Sequence, residues 1–197
     1  HEIENILDSG FVDKWKTTDD GKIAMSRHVI KGWQDPMILQ IERTAPAPAE
    51  LDEAAVMQVI ASECWDAYVG DVRNAFGQSR PSNRSTPICC RQPPEGIPGM
   101  LPGDILQCIT ECYGLVSGRA WWRSTFTGWL MDHGYKKNPF APCLMSLPCL
   151  EDDKSRDKRV DGTICIRTDD VLEGGEPRHR ALMEKMKKAF KFGKYKR

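Results

Sequence analysis

Two adjacent carboxylates, Asp169 and Asp170, follow the apolar run TICI and precede Gly174-Gly175. Carboxylates projected from a strand–turn–strand edge are held rigidly enough to take a hard cation. Two alone bind Mg²⁺ poorly, because that ion wants octahedral oxygen coordination and usually draws on substrate phosphates as well. A third acid must come from a neighbouring strand, and AYVGDVRNAF offers Asp71, again at the end of a short apolar run. Three carboxylates around two cations roughly 3.5–4 Å apart suit an in-line phosphoryl displacement. The competing reading of each acid is a turn cap, a common use of Asp near Gly. Two further pairs take that reading outright. Asp19-Asp20 runs into the hairpin dipeptide Asp20-Gly21, and Asp152-Asp153 lies in the polar stretch EDDKSRDKRVDG.

The elements that must position these acids can be read from periodicity. Residues 11–33 give two extended runs joined at Asp20-Gly21. APAPAE breaks the chain, and residues 51–65 follow as a helix whose apolar face joins Leu51, Ala55 and Val59 to Val56, Ile60 and Cys64. DAYVGDV is a strand, 92–103 a Pro/Gly-rich loop, and DILQCITE a strand. A helix runs from about Gly118 to His133, with Trp122, Phe126, Trp129 and Leu130 as its core side. APCLMSLPCL and GTICIRT are strands. The last helix, about 177–191, gathers Leu182, Met186, Ala189 and Phe190 on one side. Helices interleaved with hairpin-linked strands predict an α+β fold, a small antiparallel sheet with helices packed on one face.

Composition bounds the classes. The 197 residues suffice for one or two domains with a real core, and no apolar run approaches the ~18 residues of a membrane span. Net charge is zero, yet the first twenty residues hold six acids against two lysines, and Glu176–Arg197 holds nine Lys or Arg against two Glu. Such a basic end either meets phosphates or is simply solvated. None of the eight cysteines forms a C-x-x-C pair and no His stands at ligand spacing from them, so they read as buried structural thiols, Cys64, Cys108 and Cys165 among them, in a reducing compartment. No G-x-x-x-x-G-K-S/T loop occurs, which excludes a Walker-type nucleotide enzyme.

Over nearly its whole length the chain resembles the reverse transcriptase domain of copia-type retrotransposon polyproteins. The family's opening hairpin, K-W-x-x-K then D-G then a basic K-A-R-x-V-x-K/R-G, is similar to DKWKTTDDGKIAMSRHVIKGWQDP. Its D-V-K-x-A-F-L resembles DVRNAFG, its Q-P-x-G-F resembles RQPPEGIPG, and its Y-G-L-K-Q-A-P-R-A-W resembles YGLVSGRAWW. Its G-F-x-x-x-x-x-D-P-C-L resembles GYKKNPFAPCL, and its Y-V-D-D box falls on RTDD. The departures are Arg167 for Tyr, Arg119 for Pro, Ala141 for Asp, and Glu173 inside an otherwise apolar strand.

The resemblance implies polymerase fingers and palm, with about 1–50 a fingers hairpin region, about 51–197 palm with interleaved fingers segments, and the thumb and ribonuclease H regions absent from these residues. It implies RNA-directed DNA synthesis on an RNA or DNA template with primer, from deoxynucleoside triphosphates, inside a larger Pol polyprotein. Two Mg²⁺ ions, with Mn²⁺ as a substitute, would be held by Asp71, Asp169, Asp170 and the Val72 backbone. Arg27, Lys31 and Arg73 would meet nucleotide phosphates. Ala75 lines the nucleotide site, and Phe76 would exclude a 2′-hydroxyl, while Tyr113 and Gly114 would floor the pocket. Location would be intracellular, in a cytoplasmic particle and the nucleus, without membrane. Two rivals stand beside this reading. One is a catalytically decayed remnant that keeps the fold and at most nucleic-acid binding; the other is a cysteine-rich metal-binding scaffold.

Overall fold

A computed structural model describes residues 6–18, 21–150 and 160–197. The pairs Asp19-Asp20 and Asp152-Asp153, read above as turn and loop, lie outside the described residues. In chain order the strands are β1 (Ile6–Leu7), β2 (Ser9–Thr18), β3 (Gly21–Ile30), β4 (Tyr68–Val72), β5 (Cys89–Arg91), β6 (Ile105–Gln107), β7 (Lys136–Lys137), β8 (Leu144–Pro148), β9 (Val160–Arg167), β10 (Asp170–Gly175) and β11 (Phe192–Lys196). The helices are α1 (Glu50–Ser62), α2 (Gly118–Asp132) and α3 (Pro177–Ala189). None is long and apolar enough to cross a membrane. The chain divides into two compact units, 1–44 with 79–122 and 45–78 with 123–197.

In the first unit β2 and β3 pair antiparallel from Ser9 opposite Ile30 to Thr18 opposite Gly21, the hairpin the sequence predicts. A three-stranded sheet, β1-β5-β6, packs Leu7, Ile30, Ile88, Cys90 and Leu115 into one cluster. Beside it lies a buried ionic group. Arg84 donates to Asp35 at 2.7 Å, to Glu111 at 2.8 and 3.2 Å, and to Ser117 at 2.7 Å. Burial alone would raise the Glu111 carboxyl, but the donors Arg84, Ser117 and Ser82 hold it below its usual range.

In the second unit six strands form an antiparallel sheet in the order β11-β4-β10-β9-β8-β7. The expectation of helices on one face does not hold. On β10, Gly174 lies against Ile60 of α1, whereas Gly175 lies against His179 of α3. Successive strand residues point to opposite faces, so α1 and α3 cover opposite sides of the sheet. The period-2 pattern could not say this, because β9 is buried on both faces, Asp161 and Thr163 included, and so shows no polar–apolar alternation. Past Trp122, α2 lies beside the end of α3, with the Phe126 and Phe190 ring centroids 5.3 Å apart.

Helix α1 starts with Asp52 accepting the Ala49 N–H at 3.0 Å and three acids in its first turn, which suits the helix dipole. Only Val56 and Ile60 of its expected apolar face are buried; Leu51 and Val59 are exposed. Cys64 is exposed too, against expectation. It occupies the left-handed position after the helix (φ +53°), with Cys64 N–H on Ala61 O and Trp65 N–H on Ile60 O. This is a Schellman end that turns the thiol outward and brings Trp65 back onto Ile60. In α3 the buried residues are His179, Met183 and Met186, while Ala189, expected on that side, is exposed. The basic segment is partly neutralised, with Arg178, Arg180, Lys187 and Arg197 paired to Asp161, Glu173, Glu184 and Asp66.

Candidate active site

Strands β4 and β10 pair antiparallel with Asp71 directly opposite Asp170, so the two side chains leave the sheet on the same face. Asp169 precedes Asp170 in the two-residue turn joining β9 to β10, where Thr168 takes a left-handed conformation (φ +51°). The Asp169 carbonyl accepts the Val72 N–H at 2.7 Å, which ties this turn to the end of β4. Asp71 and Asp169 are half-buried and Asp170 is exposed. Val69, two residues before Asp71 and on its face, is also exposed, so that side of the sheet is open beside the acids.

Among the described residues, none of the three carboxylates forms a salt bridge or a side-chain hydrogen bond. Arg167 pairs with Asp170 in the β9–β10 register, but its guanidinium goes to Glu53 of α1 at 2.7 Å. Lys194 stands opposite Asp71 on β11 without reaching it as a salt bridge. Partial burial first, and then the charges of Asp169 and Asp71, push the Asp170 carboxyl above its ordinary value, with Arg167 opposing. Like charges gathered without a salt-bridge partner, with Arg167 turned to Glu53, are the electrostatic condition for binding an external cation.

The residues that follow Asp71 turn sharply. Arg73 is exposed, Asn74 takes φ +50°, and Ala75 is buried at the start of a short 3₁₀ turn, Ala75–Gln78, that holds a half-buried Phe76. Two residues that the sequence did not single out fix this segment. Gln78 donates to the carbonyls of Arg73 (2.5 Å) and Lys191 (3.0 Å) and accepts the Lys191 N–H at 2.7 Å, clamping the end of β4 to the start of β11. Gly193 leaves space for Asp71: a Cβ there would stand 2.9 Å from Asp71 Oδ2. Gly193→Ala is therefore expected to turn the Asp71 carboxylate. If the acids serve the polymerase chemistry that the resemblance implies, that activity should fall by about 10- to 100-fold, the scale of a misplacement near 1 Å, while the melting temperature stays close to the parent's. Neither signal is readable locally, since both join positions more than 100 residues apart.

Glu173, a misfit in an apolar strand, is completely buried and fully engaged. His179 Nε2 lies 2.7 Å from one oxygen, and Arg180 and the Tyr195 hydroxyl also donate to the carboxylate. Tyr135 donates its hydroxyl to His179 Nδ1 at 2.8 Å, and the Arg180 guanidinium lies 4.2 Å from the Tyr68 ring centroid. Burial pushes His179 down to about 4 and Tyr195 up to about 12. A neutral His179 donating from Nε2 and accepting at Nδ1 satisfies every partner. Strand β10, which carries Asp170, is thus fastened to α3 and β11.

Arg27, Lys31, Tyr113 and Gly114 belong to the first unit, whereas Asp71, Val72, Arg73, Ala75, Phe76, Asp169 and Asp170 belong to the second. The Arg27 guanidinium lies 5.4 Å from the Tyr113 ring centroid, and Lys31 pairs with Asp8 at 3.6 Å on the surface. Tyr113 O accepts the Ile30 N–H at 2.8 Å. Gly114 has φ +94°, and a Cβ on it would fall 1.9 Å from Ile30 O, so no other residue fits here. Gly114→Ala should cost about 2–3 kcal/mol, combining left-handed strain with a backbone clash. A urea melt would show it as a lowered midpoint.

The chain matches no known protein-family model, and no curated protein is significantly similar to it. The donor set itself can still be weighed against Mg²⁺. Three hard oxygen donors with no salt-bridge partner fit that ion's chemistry. Among the described residues no group of three or more His, Cys, Asp or Glu is placed to hold a metal ion, so Asp71, Asp169 and Asp170 do not by themselves form a closed cage. Such a cage is not what Mg²⁺ usually needs, because water and substrate phosphate complete its shell.

Proposed function

We propose that this chain is the fingers–palm portion of an RNA-directed DNA polymerase, similar to that of copia-type retrotransposons, which transfers deoxynucleotides to a primer 3′-hydroxyl. The observation that carries the reading is the cross-strand pair Asp71 and Asp170, with Asp169 in the adjoining turn, unpaired on an open sheet face. The ordered motif matches along the chain support it independently.

In this reading Asp71 and Asp169 hold the cations and Asp170 assists. The chemistry supplied by two bound Mg²⁺ ions is activation of the primer hydroxyl and neutralisation of the triphosphate. Phe76 would select deoxynucleotides by filling the space of a 2′-hydroxyl, and exposed Arg73 would offset phosphate charge. Arg27, Lys31, Tyr113 and Gly114 keep the roles the resemblance implies for them. Primer extension on a primed RNA template, with the chain joined to a thumb region, tests the function. Mg²⁺-dependent extension supports it. A folded protein that binds primed template and extends nothing is instead the decayed remnant.

A further inference from the structure

Cys90 meets Cys108 and Cys112, a pair four residues apart, in the first unit. Cys90 on β5 pairs with Leu106 on β6, and Cys108 N–H donates to Ile88 O at 2.8 Å, extending the ladder one step. Cys108, two residues beyond Leu106, therefore stands on the same face as Cys90. The chain then bends, Ile109 O accepting the Ser82 N–H at 2.9 Å and Thr110 O accepting the Cys112 thiol at 3.4 Å. That bend returns Cys112 to Cys108, and both pack on the cluster around Cys90. Cys90 is buried, but Cys108 and Cys112 are only partly so. Cys108 also lines a cleft of about 150 Å³ together with Arg84, Gln107 and Glu111. The shared thiol contacts push Cys108 above its ordinary value and hold Cys112 below it.

We infer that Cys108 and Cys112 form a redox-active dithiol that closes reversibly to an intramolecular disulfide. With glutathione disulfide as oxidant, the Cys112 thiolate attacks one sulfur, a Cys112–glutathione disulfide forms, and one glutathione thiolate leaves. The Cys108 thiolate then attacks Cys112 Sγ and expels the second glutathione. The protein loses two electrons and two protons, and the glutathione disulfide becomes two molecules of glutathione. The closed ring spans Glu111, which holds Arg84, and ends one residue before Tyr113. Oxidation would therefore loosen the buried ionic group and displace the Tyr113–Gly114 turn. This inference does not depend on the polymerase reading.

The whole chain is equilibrated with oxidised and reduced glutathione, alkylated and digested with trypsin. Peptide 92–119 carries Cys108 and Cys112 and no other cysteine, and peptide 85–91 carries Cys89 and Cys90. The expected result is peptide 92–119 lighter by two hydrogens, resistant to alkylation, and restored by dithiothreitol. Cys108→Ser should instead accumulate glutathione on Cys112, and Cys112→Ser should form no disulfide within the peptide. A cross-link between peptides 85–91 and 92–119 would overturn the assignment, as would full alkylation of both thiols at every glutathione ratio.

Discussion

An Asp71→Asn chain is expected to fold as well as its parent and to lose nucleotide incorporation by about 10³-fold or more, which is roughly 4 kcal/mol of transition-state stabilisation. Asparagine keeps the shape of the side chain and removes its charge. The opposing residue, Asp170, is held above its ordinary value partly by Asp71, so the substitution removes a like-charge contact between strands. Stability should stay level or rise by a few tenths, about 0.2–0.5 kcal/mol. A thermal melt read beside primer extension separates the two effects. Parallel losses in both would make Asp71 a structural residue, whereas activity lost at unchanged stability marks a site kept at some cost to the fold. Asp132→Asn, on the exposed end of α2, should change neither.

Glu173→Ala is expected to cost about 3–5 kcal/mol, the scale for removing one partner of a buried charge pair. It would strand Arg180, His179 and the Tyr195 hydroxyl together, and it approaches the whole stability of a modest domain, roughly 5–15 kcal/mol. Urea unfolding gives the number, and a loss below about 1 kcal/mol would show the network to be dispensable. The same network sets a pH dependence. Unfolded His179 takes up its proton as pH falls through about 6.5, while folded His179 stays neutral until about 4. Between those values the unfolded state binds more protons, so stability falls on acidification, by roughly 3 kcal/mol over the window. His179→Gln should flatten that slope.

Much of this arrangement was readable from the sequence where the signal is local. Apolar runs ending in Asp71 and in Asp169-Asp170 mark strand ends, Trp122, Phe126 and Leu130 mark the inner side of α2, and the β2–β3 hairpin follows from two extended runs joined at Asp20-Gly21. What stayed hidden depends on partners distant in the chain. Strand β11 has the lysine-rich sequence FGKYK and is a strand because β4, more than 100 residues earlier, pairs with it. Glu173 looked like a flaw until His179, Arg180 and Tyr195 closed around it. Cys64 sat in an apolar period and yet left the core, because the helix ended at a left-handed residue that composition does not announce. The cluster of Cys90, Cys108 and Cys112 follows from strand register, which cysteine spacing does not encode.

The claim that three strand-end carboxylates run nucleotidyl transfer is tested most directly by single-nucleotide incorporation on a primed RNA template, comparing the parent chain with Asp169→Asn. Both would carry the same thumb region, and Mg²⁺ would be present or chelated. The expected result is incorporation by the parent that requires Mg²⁺ and falls to background in Asp169→Asn, while both proteins melt at the same temperature. Incorporation by Asp169→Asn equal to the parent's, or incorporation that persists under chelation, would contradict it.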